Sequence, residues 1–344
     1  MIARRMTSDS GKIGSGFPRR CEPERISETS GAAQIRRVRS CLERQVPDPS
    51  GSIRTEPNRR YPAHQSPMIC HESNVQAGTQ AEASDRYRLY ERSVQCPEAE
   101  VDFISRHFRR LTRRAARLLR EDFCGTAALS CEWVRRHPDH QALAVDLDPS
   151  VLIWARDHNL AALPAGARAR CRLIQGDVQR VRRDPVDVIL AMNFSYWLLR
   201  DRAALLRYLR RVHGALVPDG VFFLDAFGGY DAFRVCTEER TVEDAEGVFT
   251  YLWEQAHYNP IDGRLVCHMH FAFPDGSRLD RAFSYDWRLW TLPELRELLA
   301  EAGFSRVTCY WQGWNDQGDA DGIFLPAEEV AADAAWICYL SAQR

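Results

Sequence analysis

The sequence predicts a doubly wound α/β domain with a mostly parallel sheet and an inserted antiparallel β meander. Short apolar runs alternate with longer segments of helical periodicity from residue 84 to residue 227. Strands that alternate with helices form parallel sheets through crossover connections. Between residues 247 and 290, aromatic and β-branched runs instead follow each other across short turns, which is typical of antiparallel pairing. The helix and strand pattern then resumes towards the C-terminus.

The N-terminal part of the chain has a different composition from the rest. Residues 1–80 are rich in Arg, Ser, Pro, Gly and Glu, and no stretch in them shows sustained periodicity. We therefore predict a disordered N-terminal extension over 1–80 and a folded domain over 84–344. Because Met68 stands shortly before the first organised sequence, we also consider that residues 1–67 do not belong to the native protein.

The α/β elements are predicted in a regular order. Helices, each with apolar residues at helical spacing, are expected at 84–91, 97–108, 127–136, 149–159, 204–216 and 292–302. Thr291 and Glu294 form a capping-box pattern at the start of the last helix, and Gly303 ends it. Strands are expected at 116–121, 142–146, 172–175, 186–192, 220–227, 306–311 and 335–340.

Turn residues define the meander predicted over 247–290. Asn-Pro-Ile-Asp-Gly at 259–263 and Pro-Asp-Gly at 274–276 separate its β-rich runs. Side chains alternate along a strand, so one face of the middle run carries Leu265, Cys267, Met269, Phe271 and Phe273. The other face carries His268 and His270. We interpret the insertion as a cover over a substrate site, and a purely structural insertion is the alternative.

Composition and charge restrict the class of protein. The 344 residues carry a formal net charge of −1, which predicts no nucleic-acid or membrane partner. Lys12 is the only lysine, so the many Arg-Arg pairs reflect a coding bias rather than a phosphate-binding design. The 11 cysteines contain no C-x-x-C pair, which argues against a structural zinc site and a disulfide framework. We predict a soluble, cytoplasmic protein without a bound metal, and its oligomeric state stays open.

Ligands of open α/β sheets bind at the carboxyl ends of the strands. Glu121 ends the first predicted strand, and Gly125 in the following turn lets a ligand approach the main chain closely. Asp146 ends the second strand, where a carboxylate can accept both hydroxyl hydrogens of a ribose. Asp177 follows the third strand, where it can accept from an adenine amino group while the main chain of Val178 faces the ring. This order of residues predicts an adenosine-containing ligand.

The motifs resemble those of the class I S-adenosylmethionine-dependent methyltransferases. The matching segments are Glu-Asp-Phe-Cys-Gly-Thr-Ala at 121–127, Ala-Val-Asp-Leu-Asp-Pro-Ser-Val-Leu at 144–152, Gly-Asp-Val at 176–178 and Leu-Val-Pro-Asp-Gly-Val-Phe-Phe-Leu at 216–224. The resemblance covers about 84–344 and implies a seven-stranded sheet with an antiparallel last strand. It also implies S-adenosyl-L-methionine as the cofactor.

The resemblance further implies a set of cofactor-binding residues. Asp146 would hold the ribose, Asp177 and Val178 would lie at the adenine, and the first motif would surround the methionine part. Asn193 ends the fourth strand, beside the reactive group of the cofactor. The complete implied set is Glu121, Cys124, Gly125, Thr126, Asp146, Leu147, Asp177, Val178 and Asn193.

The first motif departs from the family pattern. That pattern usually has three small positions, as in D-x-G-x-G-x-G, whereas Phe123 and Ala127 occupy the first and third here. Either the turn has a different shape and still binds the cofactor, or the domain has lost the cofactor. The acids at 121, 146 and 177 favour binding. The missing G-x-G-x-x-G spacing argues against a dinucleotide, because a pyrophosphate needs several close amide contacts.

Candidate catalytic residues lie after the fourth strand and in the meander. Asn193-Phe-Ser-Tyr196 stands where amino-group methyltransferases of nucleic acids and glutamine carry N-P-P-Y, so Asn193 could orient a nucleophile and Tyr196 or Trp197 could line its pocket. The alternative is a polar strand end followed by core aromatics. His257 is a third candidate, as a general base. Tyr87 and Tyr90 could close over the cofactor.

We predict an S-adenosylmethionine-dependent methyltransferase that acts on a small molecule, with the meander as its lid. One alternative is a methyltransferase of protein or nucleic acid, which the Asn-x-x-Tyr segment favours and the near-neutral charge opposes. The other alternative is a non-catalytic cofactor-binding or interaction protein, which would explain the glycine-poor first motif.

Overall fold

The computed structural model describes residues 78–182, 184–314 and 320–344. Most of the predicted extension over 1–80, including Met68, lies outside the described residues. At the end of that segment, Thr79 caps a short helix that begins at Gln80. In the described part of the chain, no helix is long and apolar enough to cross a membrane.

Helices and strands occupy most of the described chain. In chain order the helices are α1 (Gln80–Ala83), α2 (Arg86–Val94), α3 (Pro97–Thr112), α4 (Ala128–Arg136), α5 (Pro149–Ala155), α6 (Ala165–Arg168), α7 (Arg202–Ala215) and α8 (Leu292–Glu301). The strands are β1 (Leu118–Asp122), β2 (Gln141–Asp146), β3 (Cys171–Gln175), β4 (Val186–Ala191), β5 (Leu216–Gly228), β6 (Cys236–Asp244), β7 (Gly247–Asn259), β8 (Arg264–Ala272), β9 (Arg278–Arg288), β10 (Arg306–Trp314), β11 (Ala320–Pro326) and β12 (Trp336–Gln343). Single helical turns of other types follow at Arg156–Leu160, Ser195–Leu198 and Tyr230–Phe233.

The main sheet has the strand order β11-β10-β12-β5-β4-β1-β2-β3. Neighbours among β1 to β5 pair in parallel, and β12 is antiparallel to both β5 and β10. The predicted mostly parallel sheet and its reversed last strand are therefore confirmed. The sheet has eight strands rather than the expected seven, because β11 pairs antiparallel with β10 at the edge. The sequence of β11 lacks the apolar alternation that would have predicted this strand.

Helices cover both faces of the main sheet. Along β5, Val221 and Phe223 belong to the same apolar cluster as residues of α3 and α4. Phe222 and Leu224 point the other way and belong to a cluster with residues of α7 and α8. This alternation explains why the four residues 221–224 are all apolar, as expected for a strand that is buried on both faces. The doubly wound prediction is confirmed.

The strands β6, β7, β8 and β9 form a second, antiparallel sheet in that order. It confirms the predicted meander, and the predicted turns at 259–263 and 274–276 join its last three strands. The sheet begins before the predicted 247–290 because β6 adds a fourth strand. The sequence of β6, Cys-Thr-Glu-Glu-Arg-Thr-Val-Glu-Asp, is nearly all polar, as is common for an edge strand with one face in solvent.

Helix α2 links the second sheet to the main sheet. Leu89 packs in the apolar cluster of the second sheet. Arg92 donates through Nε and Nη2 to the carboxylate of Asp244 at 2.8 and 2.6 Å. On the other side, the indole N–H of Trp154 in α5 donates to Asp85, which caps α2. As a result, α2 lies over the carboxyl edge of the main sheet.

Candidate functional site

A cleft of about 590 Å³ lies at the carboxyl ends of β1, β2, β3 and β4. This volume is within the usual range for a small-molecule site. One wall is the sheet edge, and the other is formed by α2 and β9. All of the residues that the sequence implied for cofactor binding line this cleft: Glu121, Cys124, Gly125, Thr126, Asp146, Leu147, Asp177, Val178 and Asn193.

The turn after β1 has an unusual main-chain conformation. Phe123, Gly125 and Ala127 have φ values of 59°, 52° and 55°, so every second residue is left-handed. Glycine adopts this conformation readily, whereas a residue with a Cβ is less stable in it by about 1–2 kcal/mol. Main-chain bonds hold the turn: Cys124 donates to the carbonyl of Val145 at 2.9 Å, and Ala127 donates to that of Cys124 at 2.8 Å. These bonds therefore hold Phe123 and Ala127 in a conformation that glycine would adopt more readily.

The amide of Gly125 fixes the carboxylate of Asp146. The Gly125 N–H donates to Asp146 Oδ2 at 2.8 Å, and the Asp148 N–H donates to Oδ1 at 2.9 Å. Each carboxylate oxygen can accept a further hydrogen bond. A Cβ built on Gly125 has no atom within 4 Å, so this side of the turn faces open space. The arrangement fits a ribose whose two hydroxyls donate to Asp146.

Glu121 is a buried carboxylate at the end of β1. Burial raises its pKa to about 7, although hydrogen bonds from the N–H and the hydroxyl of Ser130 act in the opposite direction. The side chain therefore changes its charge near neutral pH. Its bonds to Ser130 also anchor the first turn of α4 to the sheet.

The end of β3 provides a polar and an apolar group side by side. The Gly176 N–H donates to the carbonyl of Asp146 at 2.8 Å, which aligns the two strand ends. Asp177 accepts from the N–H of Gln179 at 2.8 Å, and Val178 is buried beside it. A purine ring needs this combination, an acceptor for its amino group and an apolar contact for its face.

A buried carboxylate from β5 shapes the end of β4. Asn193 and Phe194 are both left-handed, with φ values of 57° and 58°. Their N–H groups donate to Oδ2 and Oδ1 of Asp225 at 2.8 and 2.9 Å. Asp225 is not among the residues predicted from the sequence, although an acid inside the apolar run 220–227 is a signal that could have found it. It positions Asn193 where the cleft meets a second, smaller cavity.

Backbone strain is concentrated around the cleft. Of the six non-glycine residues with positive φ in the described chain, five line the cleft or adjoin a residue that does, namely Phe123, Ala127, Asn193, Phe194 and Arg281. The sixth, Arg113, ends α3. Strained residues persist only where the surrounding structure requires them, and they often mark functional sites.

Two of the three catalytic candidates do not reach the cleft. Tyr196 is fully buried, and its hydroxyl donates to the main-chain carbonyl of Asp225 at 2.8 Å. Burial raises the pKa of this hydroxyl well above its ordinary value, so Tyr196 is a core residue. His257 is exposed and lines neither cavity of the site. A bulge between Gln255 and His257 shifts the register of β7, so the sequence could not give the direction of this side chain.

The cover of the cleft is aromatic. The ring centres of Tyr87 and Tyr90 in α2 lie 6.0 and 5.2 Å from that of Phe283 in β9. Tyr87 also lies 5.6 Å from Trp154, and the guanidinium of Arg86 stacks over Tyr87 at 4.7 Å. Tyr87 and Tyr90 therefore lie over the cleft. Phe283 and Arg86 join them from segments that carry no recognisable motif.

The outer face of the second sheet carries the two histidines of β8. His270 lies between two carboxylates, with Nε2 3.0 Å from Glu254 Oε2 and Nδ1 3.0 Å from Asp280 Oδ1. His268 Nδ1 lies 2.8 Å from the hydroxyl of Ser284. Within the described ranges, no group of three His, Cys, Asp or Glu residues could hold a metal ion. His270 is buried between its two carboxylates and His268 is half-buried, so both histidines are engaged in polar contacts of the sheet.

Comparisons with known proteins agree with this fold. Residues 124–222 match a family model described as a methyltransferase domain. An S-adenosylmethionine-dependent methyltransferase from Clostridium acetobutylicum is 18% identical, with a TM-score of 0.54, over 74% of this chain and 96% of that one. An amino pentose methyltransferase of calicheamicin biosynthesis from Micromonospora echinaspora is 16% identical, with a TM-score of 0.55, over 80% and 100%. A sugar N-methyltransferase from a Streptoalloteichus species is 19% identical, with a TM-score of 0.51, over 81% and 99%.

The chain therefore has the fold of the class I S-adenosylmethionine-dependent methyltransferases, and its residues 124–222 are similar to a methyltransferase domain. The fold class and the resemblance predicted from the sequence are confirmed. A comparison with curated proteins gives no match. At these identities the solved structures establish the fold, and the acceptor has to be inferred from the residues of the site.

Proposed function

We propose that this protein transfers a methyl group from S-adenosylmethionine to a small-molecule acceptor. The observation that carries the proposal is the cleft, which brings the residues implied for cofactor binding together from four strand ends. The match of residues 124–222 to a methyltransferase domain supports the same reaction.

The residues of the cleft fit an adenosine sulfonium. Asp146 holds the ribose hydroxyls, and Asp177 with Val178 holds the adenine. The open side of Gly125 leaves room for the methionine part, which Glu121 adjoins. One glycine suffices here because the ligand has no pyrophosphate that several amides would have to surround.

When bound, S-adenosylmethionine would supply an activated methyl group for a lone pair of the acceptor, with the thioether as the leaving group. The protein has to align the acceptor with that bond and to exclude water. Asn193 positions the acceptor, because it lies where the cleft and the smaller cavity meet. The rings of Tyr87, Tyr90 and Phe283 exclude water from the other side.

A small acceptor is supported by the dimensions of the site and by the net charge. The smaller cavity beside Asn193 has a volume of about 70 Å³, which suits a small group. The net charge of −1 disfavours a nucleic acid partner. Buried cysteines such as Cys124, Cys171 and Cys338 keep free thiols, which supports a cytoplasmic location.

Calorimetric titration with S-adenosylmethionine tests the proposal. We expect saturable binding at one site per chain and no binding of NAD, whose pyrophosphate the turn does not suit. If folded protein does not bind S-adenosylmethionine at high-micromolar concentration, the enzyme hypothesis is wrong and the non-catalytic interaction protein is favoured.

A further inference from the structure

Tyr208 in α7 packs against the start of the turn that follows β1. Its side chain is fully buried, and it contacts the two residues at which the strand passes into the turn. The hydroxyl donates to Asp122 Oδ2 at 3.0 Å, and the ring lies edge-on to that of Phe123, with 5.7 Å between the ring centres. One side chain from a distant helix therefore holds both the last residue of β1 and the first residue of the turn.

Phe123 has a main-chain conformation that its own side chain disfavours. Its φ of 59° is left-handed, and the class I pattern has a small residue at this position. The main-chain bonds of the turn start after it, from the N–H groups of Cys124, Gly125 and Ala127, whereas its ring is held by Tyr208. An edge-on aromatic pair stabilises by an amount of the same order as the strain of one left-handed residue. The contact with Tyr208 therefore offsets the strain at Phe123.

A buried ion pair fixes Tyr208 in its place. Arg120 Nη2 donates to Asp122 Oδ2 at 2.8 Å, and the two residues are only 3% and 1% exposed. Separating such a pair leaves an uncompensated charge in the interior, which is strongly unfavourable. The carboxylate of Asp122 is therefore confined, and its bond from the hydroxyl of Tyr208 confines the tyrosine ring as well.

The conformation of Phe123 determines where the cofactor residues after it lie. Phe123 and Gly125 both line the cleft, and the Gly125 N–H donates to Asp146 Oδ2 at 2.8 Å. If Phe123 left the left-handed region, the chain would leave β1 in another direction, and Gly125 would move away from Asp146. Only molecules with the turn correctly formed would bind the cofactor, so the apparent affinity would fall in proportion to their fraction.

We propose that Tyr208 is a positioning residue for the cofactor, an inference that rests on the proposed function. It keeps Phe123 left-handed and so replaces the glycine that the first motif lacks at this position. The binding conformation of the turn thus depends on a side chain from α7 rather than on the conformational freedom of glycine. The glycine-poor motif is accordingly a different way of building the same cofactor site.

Titration of full-length variants with S-adenosylhomocysteine tests this proposal. Tyr208→Leu removes the ring and the hydroxyl, and we expect the affinity to fall about tenfold as the turn loses its support. Tyr310→Leu is the matched control, because Tyr310 is another buried tyrosine of the main sheet, with its hydroxyl 3.1 Å from that of Ser341, but does not line the cleft. We expect the control to lose stability and to keep its affinity. Unchanged affinity in folded Tyr208→Leu overturns the proposal.

Phe123→Gly separates positioning from a general loss of stability. Glycine adopts the left-handed conformation without support, so Tyr208→Leu combined with Phe123→Gly should bind nearly as well as Phe123→Gly alone. The same loss on Tyr208→Leu in both backgrounds overturns the proposal. If Tyr208→Leu does not fold, Phe123→Leu takes its place, since it keeps a Cβ and removes the aromatic contact. We then expect Phe123→Leu to bind about tenfold more weakly than Phe123→Gly, and equal affinities overturn the proposal.

Titration of the wild type separates this inference from the proposed function. If the wild type binds S-adenosylhomocysteine and the variants bind it equally well, only the positioning role fails. If the wild type does not bind it, the proposed function fails, and urea unfolding tests the support of the turn by itself. Phe123→Gly should then be more favourable for stability in Tyr208→Leu, where the ring contact is already lost, than in the wild type. An equal effect in the two backgrounds overturns the support by Tyr208.

Discussion

The two walls of the cleft are held in different ways. In the sheet wall, at the ends of β1 to β4, main-chain N–H groups fix the functional side chains, as Gly125 does for Asp146. In the cover wall, formed by α2 and β9, side chains make the contacts, as Tyr90 does with Phe283. The ion pairs that fasten this wall include Arg88 with Glu246, which lie at the surface, where one pair contributes at most about 1 kcal/mol.

This difference indicates that the two walls serve different steps. A carboxylate held by the main chain of a buried sheet has a fixed geometry, which suits the constant part of the reaction, the cofactor. A wall held by rings and surface ion pairs opens at a lower cost in free energy, which suits entry and release of the acceptor. The following predictions test this division, beginning with the largest expected effect.

Glu121 in the sheet wall should make stability depend on pH. Its pKa rises from 4.5 to about 7 on folding, so between these values the folded protein holds a proton that the unfolded chain releases. The stability from this group therefore falls as the pH rises through this range, by about 3 kcal/mol in total. Urea unfolding of the wild type and Glu121→Gln at several pH values checks this. A stability difference between the two proteins that does not vary with pH would contradict it.

Gly125→Val should abolish most cofactor binding. The new side chain would occupy the open space assigned to the methionine part, so we expect the affinity for S-adenosylmethionine to fall about hundredfold, or about 2.7 kcal/mol. Gly276→Val is the matched control, because Gly276 also has a positive φ and no atom within 4 Å of an added Cβ, but lies in the turn between β8 and β9. Calorimetry should show unchanged affinity in the control. An equal loss in both variants would mean that backbone strain alone is responsible.

Asp146→Ala should weaken cofactor binding by about 2 kcal/mol, roughly thirtyfold, because two charge-assisted hydrogen bonds to the ribose are lost. Asp201→Ala controls for the loss of a main-chain contact, since Asp201 caps α7 by accepting from the N–H of Ala204 at 2.9 Å. We expect that control to lose stability and to keep its affinity. Unchanged affinity in Asp146→Ala would show that the ribose binds elsewhere.

Arg92→Ala should loosen the cover wall with little effect on the cofactor. Removal of the ion pair to Asp244 and of the hydrogen bond to the carbonyl of Gly247 should lower the free energy of unfolding by about 1–2 kcal/mol and speed amide hydrogen exchange in α2. We expect the affinity for S-adenosylmethionine to change less than in Asp146→Ala. A larger loss in Arg92→Ala would mean that the cover wall, rather than the sheet wall, holds the cofactor.

The sheet wall could be predicted from the sequence because its residues stand next to strands with strong apolar patterns. Asp146 is the last residue of β2, Asp177 lies two residues beyond the end of β3, and parallel strands place their carboxyl ends along one edge. The left-handed conformation of the turn after β1 could not be predicted, since Phe123 and Ala127 by themselves disfavour a positive φ. Bonds to neighbouring strands impose it.

The cover wall and the smaller cavity depend on contacts between distant segments, which no local pattern reveals. Tyr196 resembled a site residue, yet its hydroxyl bonds to a carbonyl of β5 that only the folded sheet brings near. The smaller cavity beside Asn193 combines Phe194 with Gln255 and Trp287, which lie more than 60 residues further along the chain than Phe194. The edge strand β6 was not predicted because its sequence has no apolar pattern. It forms a strand through its antiparallel pairing with β7.

A crystal structure with S-adenosylhomocysteine is the most direct test of the claim that the sheet wall holds the cofactor. We predict both carboxylate oxygens of Asp146 within about 3 Å of the two ribose hydroxyls, with the turn at 123–127 unchanged. A ribose bound away from Asp146, or a turn rearranged around the ligand, would contradict the claim.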